Sequence, residues 1–165
     1  MAEKYNRWER FYNKLNLWFN GAVAISIIPF ALIFLDTQSE FPDPPLVSAE
    51  VSPVIQGVVT VLVVLIVWFG IQFPARHQSE LSAKNTIESK LDFYLKIRMK
   101  SYLILEVGAI LVCLGFYLTK SQLFSGVYLA VMFVFSMIRP TFEKIAQHIG
   151  VSQTDLADWG KQSVT

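Results

Sequence analysis

The sequence predicts an all-α integral membrane protein with four transmembrane helices arranged as two antiparallel hairpins. Of its 165 residues, 53% are apolar and only 16% are charged, whereas charged residues make up about a quarter of an ordinary soluble domain. A helix needs roughly 17–25 mostly apolar residues to cross the hydrocarbon layer. Four apolar runs approach or reach that length. We therefore expect a transmembrane domain over residues 17–138, with spans at 17–35, 54–73, 102–119 and 123–138.

The basic residues predict how these spans are oriented. All but one of the 14 Lys and Arg residues lie in the N-terminal segment, between spans two and three, or in the C-terminal tail, and the exception is Lys120. By the positive-inside rule, both termini and the middle connection face the cytoplasm. The first apolar run is long for a signal peptide and has no small-residue cleavage site after it. We therefore expect an uncleaved first span and a bacterial inner membrane location.

Residues 1–16 predict an interfacial amphipathic helix. Aromatic side chains recur there at three- and four-residue spacing, with cationic side chains beside and opposite them. A helix of this kind lies flat on an anionic leaflet and either anchors the first span, senses the membrane or docks a partner. The expected membrane-interface anchors, including two cations that precede span three, are Arg7, Trp8, Arg10, Tyr12, Trp18, Arg98 and Lys100.

The two long connections differ in character. Residues 36–53 are acidic and contain four prolines, so they predict either a solvated linker or a docking strip or cation funnel. Residues 78–101 contain acid–base pairs four residues apart in the favourable order. We expect this segment to be a cytoplasmic helical extension of span three.

The tail, residues 139–165, predicts short cytoplasmic helices. Its stretch KIAQHIGVSQTDLADW resembles the two-helix core of helix-turn-helix DNA-binding domains, with Gly150 and Val151 at the turn and Ser152 as the cap of the second helix. The second helix carries Asp155 and Asp158, which repel phosphate. We therefore expect no nucleic acid partner and instead a protein-facing cytoplasmic foot.

Glu106 is the only ionisable residue inside an expected span. Such residues usually face a bundle interior or water, and they mark functional sites. Three interpretations remain open. The carboxyl could bind a proton or cation, could pair with a basic group of a partner subunit, or could stay hydrated or pair locally with Arg98, Lys100 or Arg139.

Small and uncharged polar residues predict where helices meet. Pairs of small residues four apart allow close helix approach, and polar side chains can bridge helices by hydrogen bonds. Span two is β-branched and nearly free of small residues, so we expect it to be the most lipid-exposed. The predicted packing residues are Ala22, Ser26, Ala109, Cys113, Gly126 and Ala130, and the predicted uncharged polar candidates are Asn20 and Gln56.

The sequence contains no recognisable catalytic motif. Cys113 is the single cysteine, and His77 and His148 both lie outside the expected spans, so we expect no metal, no haem and no other cofactor. The function favoured is a non-catalytic accessory, scaffold or interaction subunit of a larger membrane complex. Its partners would be the lipid bilayer and either other membrane subunits or further copies of itself. The alternative is a small proton- or ion-coupled transporter or channel component that uses Glu106.

Overall fold

The computed structural model describes residues 7–161, which form α-helices and no strand. Residues 1–6 of the expected N-terminal helix and residues 162–165 of the tail lie outside the described residues. The helices of the described segment are α1 (Arg7–Thr37), α2 (Ser52–Arg76), α3 (Gln78–Ser82), α4 (Ile87–Thr119), α5 (Leu123–Met137), α6 (Phe142–Ile149) and α7 (Gln153–Lys161).

Three stretches within residues 7–161 are helical, long and apolar enough to cross a membrane: α1, the segment Ser52–Ser82, and α4. A fourth is added if α5 and α6, which meet at a 70° bend, count as one broken span. The length and apolar composition of these helices indicate an integral membrane protein.

Proline and capping residues set the helix ends. Pro53 lies in the first turn of α2, where its missing N–H and fixed φ are tolerated. The Thr86 hydroxyl accepts a hydrogen bond from the Ser89 amide, and the Ser89 hydroxyl accepts one from the Thr86 amide, so α4 begins with a reciprocal capping box. At its other end Lys120 takes the left-handed conformation, with φ of 51°, and its amide bonds to Phe116 O.

The capping box yields a first testable prediction. Replacing Thr86 with alanine removes the side-chain acceptor at the start of α4, and we expect it to destabilise the protein by about 1 kcal/mol. The change should be read from thermal unfolding in detergent. Ser39→Ala is the control, because it also removes a hydroxyl group but at an exposed position outside the described helices. Equal unfolding temperatures for the two variants would contradict the capping role.

Helix α4 is the centre of the bundle. Its most apolar 18-residue stretch is 56% buried, against 17% in α1 and 11% in Ser52–Ser82. It packs against α1, α2 and α5. Small residues allow α2 and α4 to approach closely, since a Cβ atom on Gly70 of α2 would lie 3.0 Å from the Leu105 side chain of α4. At the same point Ser101 Oγ of α4 donates a 2.7 Å hydrogen bond to Gly70 O. Helix α2 buries only Val63 and Gly70, so it is the most outwardly exposed of the long helices, as expected.

The N-terminal aromatic segment is not separate from the first span. Helix α1 runs without interruption from Arg7 to Thr37, through Gly21 and Pro29. No proline or glycine separates the aromatic segment from the first span, since the first of either is Gly21. Its stripe of Phe11, Leu15 and Phe19 is buried against the rest of the protein. This part of the chain therefore differs from an independent interfacial helix: its apolar face covers protein.

The helical extension before span three is also shorter than expected. Helix α3 ends at Ser82, and α4 begins only at Ile87. The intervening residues are non-helical because the Thr86 cap starts a new helix rather than continuing the old one.

The tail forms α6 and α7, joined by a glycine turn. Gly150 ends α6 in the left-handed conformation, with φ of 62°, and Ser152 Oγ accepts a 3.0 Å hydrogen bond from the Asp155 amide at the start of α7. Ile145, Ile149 and Leu156 are fully or almost fully buried. The pair also contacts α1, where the Trp8 and Phe142 rings meet edge to face with centroids 4.8 Å apart.

Candidate functional site

Glu106 lies on the buried face of α4 with 5% of its surface exposed. The Ser26 side chain of α1 is close enough to interact with its carboxyl group. Neither carboxylate oxygen, however, has a hydrogen-bond partner among residues 7–161. A buried polar group without a partner costs about 1–3 kcal/mol, so Glu106 is a costly residue that the packing of this chain alone does not explain.

A small polar cluster surrounds this carboxyl group. Tyr128 of α5 donates a 3.4 Å hydrogen bond to Ser26 Oγ, which itself donates to Val23 O at 3.3 Å. Cys113 Sγ, two turns along α4 from Glu106, lies 3.6 Å from Ser26 O. The cluster therefore joins α1, α4 and α5 around Ser26.

The Glu106 side chain also lines an open groove of about 320 Å³ between α1 and α4. Apart from Glu106 and Tyr102, the groove is lined by apolar residues such as Ile25 and Leu103. The Tyr102 hydroxyl is likewise buried and has no hydrogen-bond partner within the described segment. Two residues with unpaired polar atoms thus border one groove, although those atoms are covered by the protein and the groove surface itself is almost entirely apolar.

Local pairing of Glu106 with Arg98, Lys100 or Arg139 is not observed. The ion pairs found in residues 7–161 are Lys120–Asp36 at 2.5 Å and Lys161–Asp158 at 3.0 Å. Within residues 7–161 these cations make other contacts or face outward: Arg98 bonds to Tyr94 and His148, and Lys100 and Arg139 are exposed.

A buried basic cluster lies at the end of the bundle near α6. Arg98 is 8% exposed; its Nε donates to the Tyr94 hydroxyl at 3.1 Å, and one terminal nitrogen lies 3.1 Å from His148 Nε2. His148 Nδ1 lies 2.6 Å from Lys144 O. Since a carbonyl only accepts, Nδ1 carries the proton and Nε2 accepts from Arg98, so His148 is neutral here. This cluster was not predictable from local sequence, because 50 residues separate Arg98 from His148, and Arg98 was expected to extend to water.

Burial lowers the pKa of His148 from its usual 6.5, and the positive charges of Arg98 and Lys144 lower it further, against the opposing effect of the hydrogen bond to Lys144 O. Arg98 and Tyr94 face the ring from α4, and Lys144 faces it from α6. Because the unfolded chain binds the proton more readily, stability is lost as the pH falls below 6.5.

A pH series tests this titration. We expect the unfolding temperature of the wild-type protein in detergent to fall between pH 6.5 and about pH 5, where histidine gains its proton. His148→Gln should show a smaller fall over the same interval, since an amide oxygen can accept from Arg98 but does not titrate. Parallel curves for the two proteins would contradict the assignment.

The predicted packing residues divide into two groups. Ala22 and Ser26 of α1 and Ala109 and Cys113 of α4 are buried. The pair on α5 is not: Gly126 and Ala130 are exposed, and nothing lies within 4 Å of a Cβ atom placed on Gly126. Within this chain α5 instead buries the larger residues Phe124, Tyr128, Val131 and Phe135 against the bundle, so the Gly126–Ala130 pair makes no close helix contact here.

The uncharged polar candidates do not bridge helices. Asn20 is exposed, and Gln56 bonds to Ser52 one turn away in the same helix, at 3.0 Å. Both lie near span ends, where water or headgroups can satisfy them.

The expected interface anchors are only partly outward-facing. Trp8 stacks on Tyr12 with ring centroids 5.7 Å apart, and the Tyr12 hydroxyl lies 3.5 Å from Pro140 O. These two rings therefore contact the start of the tail. Arg7 and Arg10 line a second cavity together with Glu88 and Asp92 of α4. Trp18 lines the α1–α4 groove, and Lys100 is exposed at the surface.

In the part of the chain that the structure describes, no group of three or more His, Cys, Asp or Glu side chains could hold a metal ion. Comparison of the chain with protein-family models, with curated proteins and with solved structures finds no match.

Proposed function

We propose that this chain is a non-catalytic accessory subunit of a larger membrane complex, and that it binds a transmembrane helix of another subunit in the α1–α4 groove. One observation carries the proposal: Glu106 and Tyr102, whose buried polar atoms have no hydrogen-bond partner within residues 7–161, both border the same apolar groove. The occupant that fits is an apolar helix carrying one lysine, arginine or amide side chain at the depth of Glu106.

The energetics of the groove support an occupant with a hydrogen-bond donor. Polar contacts between helices in a membrane are worth about 0.6–2 kcal/mol each. A donor from the partner would satisfy the carboxyl group and remove the cost of burying it alone. The apolar walls, including Ile25 and Leu103, would contribute van der Waals packing, which is the main attraction between helices in lipid.

We further propose that four spans form two hairpins, with both termini in the cytoplasm of a bacterial inner membrane. The Asp36–Lys120 pair joins the last turns of α1 and α4 at one end of the bundle. Tyr12 meets Pro140 at the other end, where most basic residues also lie. Reporter fusions at Asp43 and Lys84 should report opposite compartments, and fusions reporting one compartment for both would reject the arrangement.

A site-specific photo-crosslinker tests the docking proposal in the native membrane. The crosslinking residue should replace Ile25, which lines the groove, or Leu129, which is exposed on α5. We expect one defined adduct with another membrane protein from position 25 and none of the same mass from position 129. The adduct should disappear when Glu106→Leu is added and persist when Leu129→Ala is added.

Three results would contradict the proposal: no adduct from position 25, an adduct that Glu106→Leu leaves unchanged, or an adduct with a second copy of this chain. The last result would indicate a homo-oligomer instead.

A small proton- or ion-coupled transporter is the second candidate. It is favoured by the Ser26, Cys113 and Tyr128 cluster around Glu106, since membrane carboxyl groups surrounded by polar side chains occur in proton and ion pathways. Wild-type protein reconstituted in liposomes would then dissipate an imposed ion gradient, and Glu106→Gln would not. Equal leakage with both proteins, or with neither, would reject transport through Glu106.

A further inference from the structure

We propose that the basic end of the bundle binds an anionic phospholipid, with the headgroup between α2, α4 and α6 and an acyl chain in the groove between α2 and α5. The site is separate from the α1–α4 groove, so the proposal does not rest on Glu106.

The headgroup cavity has a volume of about 560 Å³. Its polar wall consists of cationic and amide side chains: Arg98 from α4, Lys144 and Gln147 from α6, and Gln78 from α3. The rest of its lining is mostly apolar and includes Ile71 and Met137 from the ends of α2 and α5. A cavity that combines cationic and apolar side chains matches the junction between a phosphate and its acyl chains.

The positive charge of this cavity is not neutralised by the protein. No carboxylate is among the cavity-lining residues of the described chain, and neither Arg98 nor Lys144 forms an ion pair within residues 7–161. Arg98 is more than nine-tenths buried, so its guanidinium group carries a charge that is poorly solvated. A buried charge that lacks an oppositely charged partner is strongly destabilising. A bound phosphate would supply the missing negative charge.

Neighbouring residues hold the two cations in place. Tyr94 and neutral His148 together fix the Arg98 guanidinium through two of its five N–H groups. Gln78 Nε2 donates to His148 O at 2.7 Å and joins α3 to α6. Lys144 Nζ donates to Met137 O at 2.8 Å, which leaves two ammonium N–H groups. The remaining donors are those that a phosphate, which only accepts when ionised, would engage.

An apolar groove of about 230 Å³ runs on from this cavity between α2 and α5. The two spaces share Ile71, and the groove continues along α2 past Trp68 to Val63 and along α5 past Val134 to Val127. The helix rises about 12 Å over the eight steps from Ile71 to Val63, enough to hold much of an acyl chain. This continuity favours a phospholipid over a free phosphate ion.

Native mass spectrometry of the full chain with defined lipids tests the proposal. The probes are phosphatidylglycerol, phosphatidylcholine of the same acyl chains, and inorganic phosphate as a competitor. We expect phosphatidylglycerol to be retained preferentially. Lys144→Gln should weaken its retention roughly fivefold, as for the loss of one lysine contact to an anionic lipid, and Lys161→Gln, which removes a lysine outside the site, should leave it unchanged.

The groove is tested by Ala130→Trp, which places a large side chain on an exposed position of its wall. We expect weaker retention of phosphatidylglycerol and unchanged unfolding temperature. Leu129→Trp, also exposed but outside the groove, is the matched control. Lys144→Gln and Ala130→Trp both act at exposed side chains, so neither depends on replacing buried Arg98.

The proposal is overturned if the two lipids are retained equally or if Lys144→Gln binds as the wild-type protein does. Efficient competition by inorganic phosphate, together with unchanged retention by Ala130→Trp, would show a free-anion site and overturn the lipid assignment.

Discussion

Replacing Gly115 with leucine is expected to be among the most disruptive single changes in this protein. A Cβ atom at Gly115 would lie 2.5 Å from Phe124 Cζ and 2.7 Å from its Cε1. Phe124 is fully buried, so its ring has no free space into which to turn. Overpacking of a close-packed interior costs about 1–3 kcal/mol and occasionally more, and leucine adds three further carbons beyond Cβ. We therefore expect α5 to be displaced from α4, with a loss of at least about 3 kcal/mol.

Gly126→Leu is the matched control, because it makes the same exchange on α5 where nothing lies within 4 Å of the added Cβ. Thermal unfolding in detergent and protease sensitivity of the connection at residues 120–122 should both change in Gly115→Leu and not in Gly126→Leu. If the two variants unfold at the same temperature, α4 and α5 do not meet at Gly115.

Replacing Glu106 with leucine is expected to stabilise the isolated chain while abolishing its interaction with the partner helix. The two side chains are similar in size, and the exchange removes two buried oxygen atoms that have no hydrogen-bond partner in residues 7–161. Removing an unsatisfied buried polar group should stabilise the purified protein by about 1–3 kcal/mol. If Glu106 instead stabilised the bundle through its own contacts, the same substitution would lower the stability of the purified protein.

Unfolding of purified wild-type, Glu106→Leu and Glu106→Gln proteins in the same detergent measures this effect. The glutamine variant is the control, because it keeps the size and the need for a hydrogen bond, and we expect its unfolding temperature to stay near that of the wild type. A Glu106→Leu protein less stable than the wild type would mean that the carboxyl group has a stabilising role within the bundle, and it would count against the docking proposal.

The helices were predictable from local signals in the sequence. Apolar runs located the C-terminal ends of α1 and α4 and the N-terminal ends of α2 and α5 to within about two residues, because length and apolarity are the requirements of a membrane span. Helices α1 and α4 begin well before their apolar runs, at Arg7 and Ile87. Pro53 and Gly150 mark ends for steric reasons that act over one turn of helix. The helix start at Thr86 was missed, because residues 78–101 were expected to form one helical extension of span three. The continuity of α1 was missed because an aromatic–basic stripe has the same pattern whether it covers lipid or protein.

The contacts between helices were only partly predictable. The small residues Ala109 and Gly126 have equivalent spacing patterns, yet the first is buried in the bundle and the second faces outward. Local sequence does not distinguish these faces, since lipid and protein interior are equally apolar. Glu106 was identified because its charge is exceptional inside a span. The Arg98–His148 contact was not, since it depends on how α6 folds back on α4.

The bend after Met137 has a consequence for the surrounding bilayer. Helix α5 has 15 residues and so extends only about 22 Å, some 8 Å less than a typical hydrocarbon layer of about 30 Å. In the proposed four-span arrangement, where α5 alone crosses the membrane, lipids beside it would therefore compress, at a fraction of a kcal/mol for each ångström of hydrophobic mismatch. We expect the protein to concentrate where acyl chains are short, and to carry an asymmetric rim of deformed lipid that is deepest on its α5 side.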